Sequence, residues 1–309
     1  MVVLTKVFIV LLVIFHFAKT SDDVTMNNKI FTSNHILSGI PVHDAVLKLK
    51  EVGYDGIEVW SEGYYAQEEK GITSLAKVKS ALKKTGLAST VHTSLGAGQG
   101  YKYNLASKDV KLRKESVKSV LDSINLAKSL GSSLVNIHPG HTGDDVYDEE
   151  YYTINLESLR TICDFAKKKD MMISMEIMEE RPREFIKRPD DAIRVIKEVG
   201  ADNLGMTLDI VHGYTHGRDS VERYLREIHK DIHHLFHCHV SGHSKYATHV
   251  PFSCCEIKDF WSSEIKHFLK FYHGSIAIEG VKKEGKHIPM DLSEEDIVKD
   301  NLKFLKSIM

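Results

Sequence analysis

Leu204-Gly205-Met206-Thr207-Leu208-Asp209 is a short run, apolar at alternate positions and closed by a carboxylate. In an extended strand alternate side chains point to opposite faces, so Met206 and Leu208 share one face and Thr207 and Asp209 the other. The arrangement recurs along the chain. Asn136 and His138 oppose Val135 and Ile137; Ser174 and Glu176 oppose Ile173, Met175 and Ile177. His237 and His239 oppose Phe236, Cys238 and Val240, and Ala277 and Glu279 oppose Ile276 and Ile278. Glu58 and His92 obey the same rule in the runs 56–60 and 89–92. Seven strands therefore each carry an ionisable group at or near the C-terminal end, on the face away from the apolar one.

Between these runs lie longer amphipathic stretches. Residues 42–52, 75–84, 108–130, 150–169, 189–199, 220–230, 256–272 and 294–308 read as helices. Glycine often stands just past them, where a left-handed conformation ends a helix. Residues 29–35 read as the first strand. Strands alternating with helices of this length imply parallel pairing with right-handed crossovers. Eight such units have the size of one (β/α)8 barrel. A doubly wound open sheet would call for a Gly-rich phosphate loop after the first strand, and none is present. The prediction is an α/β protein: residues 21–309 form a single TIM barrel, with the outward faces apolar and the ionisable groups gathered at the C-terminal mouth, where barrel active sites lie.

Composition narrows the function. The 309 residues carry 41 Lys+Arg against 43 Asp+Glu, so no global positive field favours nucleic acid. Four cysteines without a CxxC spacing make neither a disulfide framework nor a cysteine-rich metal site. Histidine is in surplus: of 18, nine fall between His212 and His249. Residues 1–20 have the layout of a secretory signal peptide, with one early lysine, an apolar run from Val7 to Phe15 and small residues near Ala18. That layout predicts a secreted protein, with a membrane anchor over residues 7–18 as the alternative.

A buried carboxylate or imidazole is expensive unless paired or metal-bound. Glu176, Asp209 and Glu279 converging with His92, His138 and His239 on one mouth would repel and desolvate each other without a cation. Mixed carboxylate and imidazole donors suit Zn, Mn or Co better than Ca or Mg. The expected cofactor is thus one to three divalent ions.

At these positions the chain resembles the xylose isomerase-like TIM-barrel superfamily, which holds sugar isomerases and epimerases, inosose dehydratase-type lyases and endonuclease IV-type abasic-site nucleases. The matching pieces are Gly53-Tyr-Asp-Gly-Ile-Glu-Val-Trp60, Val91-His92, Asn104-Leu-Ala-Ser107, Asn136-Ile-His-Pro-Gly140, Met175-Glu176, Asn203-Leu-Gly-Met-Thr-Leu-Asp-Ile-Val-His212, His239-Val240 and Ile278-Glu279. The resemblance implies that Glu176, Asp209, His239 and Glu279 form the four-ligand metal site of the epimerases. Glu176 and Glu279 are then the acid/base pair that exchanges a substrate proton through an enediolate. It further implies that His92 and His138 match additional zinc ligands of the nucleases, with Glu176 bridging two ions. His212 and His249 match part of a third site, whose aspartate is replaced here by Ala247. The nuclease sequence after Glu176 and its aromatic wedge after His92 are also missing.

Other residues have narrower readings. His212, His249, His141, Glu58 and Trp60 are candidates for a second metal or for substrate; His216 and Tyr64 are further substrate candidates. Glu179, Arg181, Arg183 and Lys245 are candidates for an anionic group, with solvated loop charges as the plain alternative. His237 is expected below His239, in a supporting role. The resulting expectation is a metal-dependent isomerase or epimerase of a small polyhydroxylated compound, a sugar or sugar phosphate. The alternatives are an endonuclease IV-like metallo-phosphodiesterase and a secreted barrel that binds metal or sugar without turnover. Nucleic acid is not an expected partner, and a homo-oligomer is compatible with the sequence.

Overall fold

A computed structural model of the chain describes residues 28–95, 102–143, 146–214, 217–245, 247–280 and 292–309. The signal-like segment 1–20, its alternative reading as an anchor over 7–18, and His216 lie outside the described residues. In chain order the strands are β1 (Ile30–Ser33), β2 (Gly56–Trp60), β3 (Ala88–Thr93), β4 (Leu134–Ile137), β5 (Met172–Glu176), β6 (Leu204–Asp209), β7 (Leu235–Val240), β8 (Gly242–Ser244), β9 (Ala247–Val250) and β10 (Ser275–Ile278). All except β8 and β9 pair in parallel, in the order β1-β2-β3-β4-β5-β6-β7-β10, and β10 returns to β1 through Phe31 opposite Ala277. The closed barrel is the predicted (β/α)8 architecture, and its closure excludes the doubly wound sheet.

The helices are α1 (Val42–Val52), α2 (Ser61–Glu69), α3 (Leu75–Thr85), α4 (Val110–Leu130), α5 (Glu149–Lys167), α6 (Pro189–Val199), α7 (Ile210–Gly213), α8 (Arg218–Lys230), α9 (Lys258–Phe268) and α10 (Glu294–Ile308). Their ends follow from local chemistry. Asp109 accepts from the backbone N–H groups of Lys111 and Leu112 and starts α4; Asp148 does the same for α5. Gly131, at φ 79°, ends α4 in the left-handed conformation that a side chain would strain. Among the described residues no helix is long and apolar enough to cross a membrane.

The core divides in two. Outward-facing Val135, Ile137, Ile173, Met175, Met206, Leu208, Cys238, Ile276 and Ile278 are buried beneath the helices. The barrel interior is largely polar: Glu58, Thr90, His92, Asn136, Ser174, Thr207 and His237 are all buried there, with Phe31 beneath them. Aliphatic layers are the usual filling of such a barrel; here a hydrogen-bonded lattice takes their place.

Three sequence expectations are corrected. The first strand ends at Ser33, whose hydroxyl accepts from the His35 N–H and turns the chain into a short 3-10 turn at Asn34–Leu37. The helix expected over 256–272 spans only Lys258–Phe268. Helix α2 and the β8–β9 hairpin had no counterpart in the sequence reading. Neither carries a strong periodic signal: α2 is polar, starts without a side-chain cap, and contains Gly63.

Gly205 shows how tightly β6 is seated. A Cβ there would lie 2.4 Å from the Phe236 ring and 2.6 Å from the His234 carbonyl oxygen. Gly205→Ala is expected to destabilise the protein by about 1–3 kcal/mol in urea unfolding, the usual range for overpacking. Unchanged stability would contradict this packing of β6 on the start of β7.

Candidate metal centre

Four adjacent strands deliver the central side chains. Glu176 ends β5 and Asp209 ends β6; His239 lies near the end of β7; Glu279 follows β10 directly. The ladder fixes their relative heights: Asp209 pairs opposite His239, and His239 opposite Ala277. The Glu279 N–H donates to the Val240 carbonyl at 3.1 Å, which holds Glu279 at the mouth. His239 Nδ1 lies 2.8 Å from Glu279 Oε2 and 3.6 Å from Glu176 Oε2.

Glu176 is the hub. Its Oε2 is approached by His92 Nε2 at 3.5 Å and His138 Nε2 at 3.6 Å, and its Oε1 by His212 Nδ1 at 3.5 Å. Asn136 Nδ2 donates to Glu176 Oε2 at 3.0 Å, and Asn136 Oδ1 accepts from the Thr207 hydroxyl at 2.8 Å. Thr207 in turn accepts from the Ser174 hydroxyl at 2.5 Å. This chain of donors orients both the amide and the carboxylate. The sequence shows Asn136 as an inward-facing residue and as the start of the Asn136–Gly140 match; its alignment with Glu176 depends on the register of β4 and β5.

A second group lies beside the first. His212 Nε2 faces His249 Nε2 at 3.3 Å, and both rings approach Asp209 Oδ2, at 3.9 Å from His212 Nε2 and 3.8 Å from His249 Nδ1. His212 Nδ1 donates to the Ile177 carbonyl at 2.9 Å. Glu179 joins this group, held by Thr248 at 3.2 Å and by a salt bridge with Arg181. His249 reaches it from the hairpin with a left-handed backbone, φ 58°.

The remaining candidates are more scattered. Glu58 lies deeper, against His237 Nε2 and His239 Nε2, each at 3.1 Å. His141 Nδ1 accepts from the Gly143 N–H at 2.8 Å and stabilises a turn. The Trp60 ring is tilted against His35 with centroids 4.2 Å apart, and its indole donates to Ser94 at 3.2 Å. Tyr64 is buried with its hydroxyl on Glu68. Arg183 pairs with Glu184, and Lys245 is exposed on the hairpin turn.

The donor set fits a divalent cation. Glu176 Oε1, Asp209 Oδ2, Glu279 Oε2, His92 Nε2 and His239 Nδ1 are buried atoms that make no hydrogen bond. Leaving one such atom unsatisfied costs roughly 1–3 kcal/mol. His92, Glu176, His239 and Glu279 offer ligand atoms all within 4.8 Å of one another; so do Glu176, Asp209 and His212, and Glu179, His212 and His249. Such mixed sets suit Zn or Mn.

Charge balance among these groups is maintained by the imidazoles. Burial opposes ionisation of Glu176 and Glu279, but His239 between them holds both below the usual carboxylate range. For Asp209 burial prevails and raises it. His138 is pushed down by burial to about 4. Burial would also lower His212, but Asp209, Glu176 and Glu179 push it up to about 9. A histidine with a raised pKa contributes stability that is complete below pH 6.5 and is lost as pH rises through about 9. In chelator-treated protein the thermal midpoint is therefore expected to fall across that window, and to fall less in His212→Gln. Parallel curves for the two proteins would contradict the ion pairing of His212.

Comparison with known proteins agrees with the barrel. The family model for the xylose isomerase-like TIM barrel matches residues 46–308. Fructoselysine 3-epimerase of Shigella flexneri is 23% identical over 214 residues, covering 68% of this chain and 75% of that protein. A probable endonuclease 4 of Thermoplasma acidophilum is 25% identical over 210 residues, 66% of this chain and 70% of that protein. The solved structure of D-psicose 3-epimerase with D-tagatose, from Clostridium cellulolyticum H10, has a TM-score of 0.68 at 17% identity, over 91% of this chain and 98% of that one, a likeness of fold. With the match extending over 46–308 and the closed barrel beneath it, this chain belongs to the xylose isomerase-like TIM-barrel family.

Proposed function

We propose that the protein is a divalent-metal-dependent isomerase or epimerase acting on a small polyhydroxylated compound, a sugar or sugar phosphate, by glutamate-mediated proton transfer. The observation that carries this reading is the placement of Glu176 and Glu279 around His239 Nδ1, at 3.6 and 2.8 Å, with Asp209 opposite His239 in the ladder. Similarity to two 3-epimerases supports the reaction class.

Glu176, Asp209, His239 and Glu279 would hold the cation. When bound, it supplies Lewis-acid stabilisation of a developing oxyanion. The chain's own residues do the rest. Glu176 and Glu279 accept a proton from, and return one to, the carbon next to the substrate carbonyl. The Asn136 amide on Glu176 Oε2 keeps that carboxylate from rotating. His92 and His138 line the same pocket and offer ring nitrogens to substrate hydroxyls. Trp60 and His35 form an aromatic wall suited to the apolar face of a sugar ring.

One observation favours a second reading, a metallo-phosphodiesterase. Imidazoles beyond the four-ligand set, His92, His138 and His212, surround Glu176, and His249 adjoins them. Similarity to a probable endonuclease 4 points the same way. Against it stand Ala247 at the position of the nuclease aspartate and the near-neutral charge, 41 basic against 43 acidic residues. We also propose secretion, on the basis of the signal-like segment 1–20.

In deuterium oxide, with Mn, Co or Zn and a panel of ketoses and aldoses, the protein is expected to incorporate solvent deuterium next to the substrate carbonyl. Glu279→Gln is expected to lower that exchange by about 10²–10⁴-fold, the usual contribution of a general acid or base. If nothing in the panel exchanges, the isomerase reading fails. Incision of a duplex containing an abasic site would establish the phosphodiesterase reading in its place. N-terminal sequencing of the expressed protein tests secretion: a start near residue 21 is expected, and an intact Met1 on membrane-bound protein would instead support the anchor.

A further inference from the structure

Glu58 is a carboxylate that the proposed reaction does not use. It stands on β2, fully buried, and faces β7 across the barrel interior, since β1 and β10 separate the two strands. His237 Nε2 lies 3.1 Å from its Oε2. His239 Nε2 lies 3.1 Å from its Oε1 and 3.3 Å from its Oε2. Below, His237 Nδ1 meets the Ser275 hydroxyl at 2.8 Å, and the Thr90 hydroxyl reaches Glu58 Oε2 at 3.4 Å.

These contacts determine where the protons sit. An ionised carboxylate only accepts hydrogen bonds, so a ring nitrogen that bonds to it must carry hydrogen. His237 and His239 are therefore both protonated on Nε2. His237 Nδ1 is left with a lone pair and accepts from Ser275. His239 Nδ1 faces Glu176 and Glu279, at 2.8 Å from Glu279 Oε2; without a cation this nitrogen carries the second proton of an imidazolium, and that proton is the one a cation would displace. The competing donor to His239 Nε2 is Asn136 Nδ2, at 3.5 Å, longer than the carboxylate contacts; that amide already donates to Glu176 at 3.0 Å.

We infer that Glu58 is the positioning residue of the centre: from beneath, it holds a proton on His239 Nε2, so that Nδ1 is the nitrogen a cation would take, while His237 and Ser275 hold the carboxylate in place. A carboxylate behind a ligating imidazole is a general device for setting ring orientation and ligand basicity. The functional consequence rests on the cation centre proposed above; the placement of the Nε2 proton does not. Glu58→Gln disturbs the arrangement without a large change of shape, because an amide can donate to Nε2 and drive the proton to Nδ1.

The test combines two readouts on the full chain. Long-range proton–nitrogen NMR of histidine-labelled protein, chelator-treated and zinc-loaded, is expected to show His237 and His239 protonated at Nε2. In Glu58→Gln, His239 is expected to shift toward Nδ1 protonation. Cobalt titration read by visible absorption is expected to show an affinity about 10–100-fold weaker than the parent's, the range typical for loss of such a partner. Glu58→Asp, which keeps the acceptor, should recover part of it. Circular dichroism establishes that the variants fold. If Glu58→Gln does not fold, Ser275→Ala is read instead, with a smaller loss in the same direction expected. Parent-like cobalt affinity with an unmoved tautomer in a folded Glu58→Gln would overturn the inference, as would Nδ1 protonation of His239 in the zinc-loaded parent. A parent that binds neither cobalt nor zinc yet shows Nε2 protonation would sink the cation reading and uphold the positioning role.

Discussion

The constraint behind this structure is the burial of carboxylates in a small volume. Glu58, Glu176 and Asp209 are fully buried, and Glu279 adjoins them at the mouth. An unpaired ionised carboxylate at such a depth is expensive, so each must have a donor or a cation. Imidazoles occupy the spaces between them: His237 and His239 against Glu58, His92 and His138 against Glu176, His212 and His249 against Asp209. The polar lining of the barrel follows from this. Ser174, Thr207 and Asn136 replace the aliphatic filling because Glu176 needs an oriented donor beneath it. The apolar outer faces under the helices supply the stability that such an interior does not.

Depth in the barrel separates chemically identical residues into different roles. Glu58 and His237 lie below, closed off, hydrogen-bonded to each other and to Thr90, Ser275 and the underside of His239. Glu176 and Glu279 lie higher, each with an oxygen left without a hydrogen bond. His239 joins the two levels, with Nε2 facing down and Nδ1 facing up. In the proposed reaction, proton transfer belongs to the upper level and the lower level sets geometry. Beside them, Glu179 stands with His212 and His249. That group keeps the phosphodiesterase alternative in play even though the chain has no strong positive field.

Much of this was legible in the sequence, for a simple physical reason. A strand's two-residue alternation reports the face of every side chain, so Glu176, Asp209, His239 and Glu279 could be assigned to the barrel interior from Met175, Leu208, Cys238 and Ile278 opposite them. Alternation does not report height. Glu58 looked like another residue of the mouth, but the register of β2 against its neighbours seats it a level lower. Asn136 and Ser275 acquire their roles only through contacts with other strands. Glu179 arrives from a loop and His249 from the short β9 strand with a left-handed backbone, where no periodicity constrains them. Helix α2 and the β8–β9 hairpin were missed because they are short and polar and are held by what they pack against.

The central claim is that the carboxylates and imidazoles at the barrel mouth are arranged for a divalent metal ion. The most direct measurement is metal analysis of protein purified without chelator, followed by anomalous diffraction at the absorption edge of the metal found. The account predicts at least one stoichiometric Zn, Mn or Co per chain, with Glu176, Asp209, His239 and Glu279 as its ligands. Stoichiometric metal bound elsewhere, or none after reloading with any of the three ions, would contradict it.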